Sequence, residues 1–312
     1  MDFYLAFMRR ARETVIHSRS IWHGFTLRRG GNANGGNMSV ETNVASYYSR
    51  GRLEETILQA LTRAGKDLEN LTPADLAALD EFHAGGREAT VELAAQMELR
   101  PGLHLLDVGS GIGGPARYFA AEHGCKVTGV DLTEEFVNVS RSLTHKTRLD
   151  QSVEFLHGSA LSLPFEQAMF DRAYTIHVAM NIADKPGLFR EVRRVLKPGG
   201  LFAIFDLIRT GEGPIRYPVP WALTEETSFV ADVHDYREAL KTAGFQVTHE
   251  RHRGAFALEF MQRMMARMAQ GGPPALGLHL LMGEPTKLML GNVQAMIQDG
   301  VIEPVELVAR TV

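Results

Sequence analysis

The sequence predicts an α/β fold: a doubly wound, mostly parallel, seven-stranded Rossmann-like sheet with a helical N-terminal prefix and a C-terminal cap. Three features carry this expectation. Short apolar runs alternate with amphipathic segments between residues 103 and 250, the βαβ rhythm of parallel strands joined by right-handed crossovers. The stretch Leu105-Leu-Asp-Val-Gly-Ser-Gly-Ile-Gly-Gly114 leads an apolar strand into a glycine turn and then a helix, which brings backbone against a nucleotide-like ligand. Asp131 closes the second apolar run 20 residues after Gly111, where an acid can accept from both hydroxyls of a ribose.

Taken in order, residues 1–37 stand apart. Arg9, Arg10, Arg12, Arg19, Arg28 and Arg29 oppose only Asp2 and Glu13, and the segment ends in Gly-Gly-Asn-Ala-Asn-Gly-Gly-Asn, a linker composition. It reads as a basic, disordered extension that the chemistry does not need; a targeting peptide and an amphipathic surface helix over residues 3–16 are the competing readings. Residues 38–100 form the helical prefix or lid. Tyr47, Leu53, Ile57, Leu58 and Leu61 recur at helical spacing from Val44 to Ala64. A second helix is expected over 73–82, and a third between Gly86 and Leu99, stopped by Arg100-Pro-Gly102.

Residues 101–253 form the sheet domain. Strands are expected at 103–108, 126–130, 153–156, 172–176, 201–205 and 245–250, with helices over 115–121, 134–143, 187–196 and 229–243. Beyond Gly254 the pattern becomes a helix with Met261, Met264, Met265 and Met268, so 254–312 is expected as a helical cap. Its methionines serve either as adaptable core filling or as substrate contacts.

Composition narrows the function. A net charge of −4 leaves no electrostatic footprint for DNA or RNA, so a small-molecule partner is expected and nucleic acid is not. The single cysteine, Cys125, permits neither an internal disulfide nor a Cys-rich zinc site and suits a reducing cytoplasm. The 12 histidines are scattered without ligand spacing, so no metal is expected. No apolar run is long enough for a transmembrane helix, and stable membrane insertion is not expected. Oligomeric state is left open.

The glycines Gly109, Gly111 and Gly114 fit a G-x-G-x-x-G pattern that serves several nucleoside ligands, NAD included. Asp107 distinguishes among them. A carboxylate on a buried strand is costly without a cation beside it. S-adenosyl-L-methionine supplies one in its amino group; it has no pyrophosphate, so the turn would meet its methionine part and ribose.

The motif order resembles that of class I S-adenosylmethionine-dependent methyltransferases. Leu106-Asp-Val-Gly-Ser-Gly111 looks like their first motif, Gly129-Val-Asp-Leu132 their second, Gly158-Ser-Ala-Leu-Ser-Leu-Pro-Phe165 their third and Phe170-Asp-Arg-Ala-Tyr-Thr-Ile-His177 their fourth, and Leu196-Lys-Pro-Gly-Gly200 looks like the turn before their fifth strand. The likeness covers roughly residues 83–250. Gly113-Gly-Pro-Ala-Arg117, Asp131-Leu-Thr133 and His177-Val-Ala-Met-Asn-Ile182 are similar to a small-molecule branch that includes sarcosine/dimethylglycine and ubiquinone/menaquinone methyltransferases. The resemblance implies Asp107 near the cofactor's amino group, Gly109, Ser110 and Gly111 along its methionine portion, Asp131 on the ribose and Leu132 against the adenine. Many relatives carry an acid for the adenine amino group where this chain has Ser159, whose hydroxyl accepts without charge assistance. The backbone of Ala160 is a further anchor.

His177 follows the fourth strand, facing the transferred methyl group or the incoming nucleophile, as a general base or as a hydrogen-bonding wall. Met180 and Asn181 are candidates for acceptor contact. His83 and Tyr47-Tyr48 either close the pocket or belong to turns between helices. Tyr217-Pro-Val-Pro-Trp221 either stacks an aromatic on the acceptor or packs internally. The expected activity is in-line methyl transfer to N, O or C of a small molecule. A nicotinamide-dependent oxidoreductase and a non-catalytic cofactor-binding subunit are the alternatives.

Overall fold

Seven strands form one sheet in the order β3-β2-β1-β4-β5-β7-β6 in a computed structural model that describes residues 39–49, 51–271, 274–283 and 285–312. The expected basic extension of residues 1–37 lies outside the described residues. β1 (His104–Val108) is central, between β2 (Lys126–Asp131) and β4 (Phe170–Ile176); β3 (Val153–His157) and β5 (Leu196–Arg209) extend the sheet on either side, all parallel. β7 (Ile302–Thr311) runs antiparallel between β5 and β6 (Phe245–His252). The expected doubly wound, mostly parallel seven-stranded sheet is the one observed.

Alternation along β1 sends its side chains to opposite layers. Leu106 and Val108 join the layer of α7 (Lys185–Val195) and α8 (Val233–Thr242), through Leu188, Phe189, Val192 and Tyr236. Leu105 joins the layer of α4 (Gly86–Gln96) and α5 (Gly114–His123), through Leu93 and Phe119. Asp107 therefore shares its face of the sheet with Leu105, towards α4 and α5.

Three expectations are corrected. The single helical run over 44–64 is two helices, α1 (Val40–Tyr48) and α2 (Leu53–Arg63). Gly51 adopts φ +78° between them, and the Gly51 and Leu53 N–H groups donate to the two carboxylate oxygens of Glu135, at 2.8 and 2.9 Å, on α6 (Glu134–Lys146). An acid from another helix thus caps α2. The fifth strand runs over 14 residues rather than 201–205. Asp206 interrupts the apolar run in the sequence, yet in the strand it is fully buried and accepts from Tyr236 Oη at 2.6 Å.

The closing segment is helical only in part. α9 (Gly254–Gly271), α10 (His279–Met282) and α11 (Thr286–Gln298) are followed by β7, where a helical cap was expected through 312. Glu303, Pro304 and Glu306 break the strand's apolar pattern. Glu306 is nevertheless buried, because Arg253 Nη1 lies 2.7 Å from its Oε2 and Arg251 pairs with the same atom. Residues 39–312 form one compact unit. Leu53 and Ile57 of α2 and Leu76 and Leu79 of α3 (Pro73–Asp80) share one core with Phe136 of α6 and Met289 of α11.

Candidate functional site

The carboxyl ends of β1 and β2 build the centre of the site. Gly109 N–H and Ser110 N–H both donate to Val130 O, at 2.8 and 3.0 Å, which folds the turn back over β2. Gly111 N–H donates to Asp131 Oδ2 at 2.7 Å and Thr133 N–H to Oδ1 at 2.8 Å. The buried Asp131 carboxyl is pushed upward in pKa by burial, against the pull of those two backbone donors. The Thr133 side chain adds a third donor to this carboxylate, which has about four acceptor sites in all.

The glycines are required by different neighbours. Gly109 sits at φ +77°, and a Cβ there would meet Val178 Cγ2 at 2.4 Å. At Gly114 a Cβ would meet Asp80 O at 2.3 Å, so the start of α5 packs directly on the end of α3. The fully buried Arg117 fastens this region. Its Nη2 donates to Asp80 Oδ2 and Ile112 O, both at 2.7 Å, and its Nη1 to Thr144 Oγ1 at 3.1 Å. Arg117 thereby ties the turn to α3 and α6.

Beside the turn, Asp107 is 2% exposed and burial pushes its carboxyl up to about 8. Tyr174, its neighbour on β4, is buried with it. The Tyr174 phenol acts on the Asp107 carboxyl and holds it down against burial, and beyond that pair Asp107 Oδ2, Tyr174 Oη and Ser110 Oγ are buried without a hydrogen-bond partner among the described residues. Unpaired buried polar atoms are costly, and a cationic amino group at the end of β1 would give the Asp107 carboxyl a partner. The residues present fit such a ligand.

At the end of β3, Ser159 Oγ donates to Glu41 Oε1 and accepts from Leu161 N–H at 3.0 Å. Ala160 N–H has no hydrogen-bond partner among the described residues. Leu132 is half-buried, and its carbonyl accepts from His157 Nε2 at 3.0 Å. α1 lies across these strand ends. Tyr48 packs on Phe136 with centroids 5.6 Å apart, and Phe136 on Phe82 at 6.2 Å. Tyr48 Oη donates to Asn181 Oδ1 at 3.3 Å, and Tyr47 Oη to Pro220 O at 3.1 Å. Burial pushes the Tyr48 phenol far up, and the charges of Asp131 and Asp206 add to the shift. Tyr47 and Tyr48 thus belong to α1 and reach the segments after β4 and β5.

His177 lies at the end of β4 with φ +55°, its N–H donating to Phe205 O at 2.7 Å. Its ring faces Phe205 at 5.2 Å and His83 at 6.0 Å, and Nε2 has no partner among the described residues. Burial, reinforced by His83, holds the His177 imidazole neutral well below its ordinary range. His83 itself is pushed down to about 4 by burial. Its Nε2 donates to Thr90 Oγ1 at 3.1 Å, and Thr90 Oγ1 donates to Glu81 Oε2 at 2.7 Å. Glu81, raised to about 8 by burial and by Asp80, escaped the sequence reading, as did Thr90 and Glu41.

Other candidates have structural duties. Asn181 is buried and its amide is committed: Nδ2 donates to Trp221 O at 2.8 Å and Thr227 O at 3.0 Å, while Oδ1 takes Tyr48 Oη. Trp221 is 1% exposed, with Nε1 donating to Ser228 Oγ at 2.9 Å, so it packs internally rather than stacking on an acceptor. Met180 joins it, with Leu207, Met261 and Met296, in an apolar cluster beyond His177. Of the α9 methionines, Met261 fills this core, Met264 is half-buried, and Met265 and Met268 are exposed.

Residues 106–204 match the family model of a methyltransferase domain. The 24-methylenesterol C-methyltransferase 2 of Oryza sativa subsp. japonica is 41% identical over 128 residues, covering 40% of this chain and 35% of that protein. The chain thus spans well under half the length of this relative. Among solved structures, Haemonchus contortus phosphoethanolamine N-methyltransferase 2 in complex with S-adenosyl-L-methionine superposes with a TM-score of 0.67 at 21% identity, covering 88% of this chain and 60% of that one. A putative sarcosine dimethylglycine methyltransferase from Galdieria sulphuraria gives a TM-score of 0.58 at 18% identity, over 72% and 85%. At these identities the structural likeness speaks for the fold.

Proposed function

We propose that the chain, whose residues 106–204 match a methyltransferase-domain model, binds S-adenosyl-L-methionine and transfers a methyl group to a small-molecule acceptor. The observation that carries this reading is the buried Asp107 carboxyl, with an oxygen left unpaired beside the glycine turn. A nicotinamide dinucleotide brings an anionic pyrophosphate to a glycine turn of this kind, whereas S-adenosylmethionine carries an ammonium group. When bound, the cofactor supplies an electrophilic methyl group on a sulfonium.

The protein's own part is positioning and exclusion of water. Asp107 holds the amino group, Gly109, Ser110 and Gly111 border the methionine portion, and Asp131 accepts from the ribose hydroxyls. Leu132, Ser159 and Ala160 border the base. α1 covers the site through Tyr47 and Tyr48. His177 presents a neutral imidazole to the acceptor, able to hold or take a proton at Nε2. No helix among the described residues is long and apolar enough to cross a membrane; a cytoplasmic enzyme that does not act on nucleic acid completes the reading.

The test is a screen of amines, quinol precursors, sterol-like alkenes and hydroxylated compounds for release of S-adenosylhomocysteine. Turnover with at least one acceptor is expected. Tight cofactor binding with no turnover on any of them favours the non-catalytic subunit.

A further inference from the structure

We infer that Glu41, on α1, supplies the charged acceptor for the base of the cofactor, so that α1 closes against the amino edge of adenine. This rests on the proposed use of S-adenosylmethionine and concerns residues far from the methyl group. The ends of β1, β2 and β3 lie side by side, in the sheet order β3-β2-β1. A nucleoside whose ribose meets Asp131 at the end of β2 therefore places its base towards the loop after β3, at Ser159 and Ala160.

Ser159 is a poor acceptor for an amino group. Its proton is given to Glu41 and it already accepts from Leu161 N–H. The carboxylate of Glu41 is charged, and after taking the Ser159 proton it keeps lone pairs for further donors. Ala160 N–H, without a partner among the described residues, is a donor suited to the ring nitrogen next to that amino group.

The helix makes the placement two-ended. Glu41 and Tyr48 are seven residues apart, so they share one face of α1, about 10 Å apart along its axis. Glu41 meets Ser159 after β3, and Tyr48 meets Asn181 after β4, with the Tyr48 ring against Phe136 between them. The helix bridges both ends of the site, and its acidic end is the one beside the base.

The discriminating probe is S-inosylhomocysteine. Its base carries an oxygen in place of the amino group and a ring N–H in place of the ring acceptor, so it opposes both Glu41 and Ala160 N–H. Calorimetric titration of the full chain should show S-adenosylhomocysteine bound at least tenfold more tightly than the inosine analogue. Glu41→Gln, whose amide can accept or donate, should bring the two dissociation constants within about threefold. Adding Ser159→Asp to that variant should restore the preference, while Asp131→Ala should weaken both ligands alike. An unchanged preference in Glu41→Gln, with thermal melting showing a folded protein, overturns the inference and leaves the cofactor assignment standing. So does equal binding of the two ligands by the unmodified chain. Failure of that chain to bind either ligand removes the cofactor assignment and this inference with it.

Discussion

Gly111 N–H donates to Asp131 Oδ2 across 2.7 Å, so the turn after β1 and the acid that ends β2 are one unit. Asp131→Ala leaves the N–H groups of Gly111 and Thr133 without their acceptor and removes the proposed ribose contact. Each lost buried partner costs about 1–3 kcal/mol. The variant should melt at lower temperature and bind S-adenosylhomocysteine at least tenfold more weakly, measured by calorimetry. An unchanged dissociation constant removes Asp131 from the site.

Asp107 should lose a proton when the cofactor's cation arrives. Burial raises its carboxyl to about 8, so at pH 7 the free protein holds it protonated. Binding of S-adenosylhomocysteine at pH 7 should release close to one proton, read from calorimetry in buffers of different ionisation enthalpy. Asp107→Asn should abolish the release. The sign for the free protein follows from linkage. The folded value lies above the ordinary 3.8, so the stabilising contribution is full below about pH 4 and is lost as pH rises towards 8. Melting of Asp107→Asn should decline less across that window than melting of the unmodified chain.

His177 occupies a left-handed backbone conformation that asparagine tolerates better than alanine does. His177→Asn should therefore keep the fold and bind S-adenosylhomocysteine within about twofold of the unmodified chain. Its kcat should fall by about a hundredfold if the ring handles the acceptor proton. With His83 and His177 both held neutral by burial, the pH profile of kcat should lack an inflection near 6.5. Full activity of His177→Asn would leave the ring as wall only.

Arg117 and Asp80 form a buried ion pair at 2.7 Å that joins α3 to the glycine turn. Arg117→Ala strands the Asp80 charge, a loss of about 3–5 kcal/mol where a buried pair is broken from one side. Urea unfolding should show that loss. Paired removal as Asp80→Leu with Arg117→Met should recover part of it, and equal destabilisation in the single and double variants would contradict the ion-pair account.

The centre of the site was legible because its signals are local. Asp107, Gly109, Ser110 and Gly111 are consecutive or nearly so, and Asp131 follows at the βαβ interval. Glu41 was not legible, since it reaches Ser159 across 118 residues by the docking of α1. Glu81 and Thr90 were hidden for a related reason: only the connection between α3 and α4 brings them to His83. β7 was misread because buried ion pairs permit glutamates in a strand, and apolar pattern is the only strand signal a sequence offers there. Asn181 shows the converse, a polar residue at a functional address whose amide is used up by the protein itself.

The most direct measurement of the central claim is calorimetric titration of the protein with S-adenosylmethionine and, separately, with NAD. With a carboxyl buried at Asp107 beside the glycine turn, the account predicts binding of S-adenosylmethionine and none of NAD. Binding of NAD alone would contradict the account.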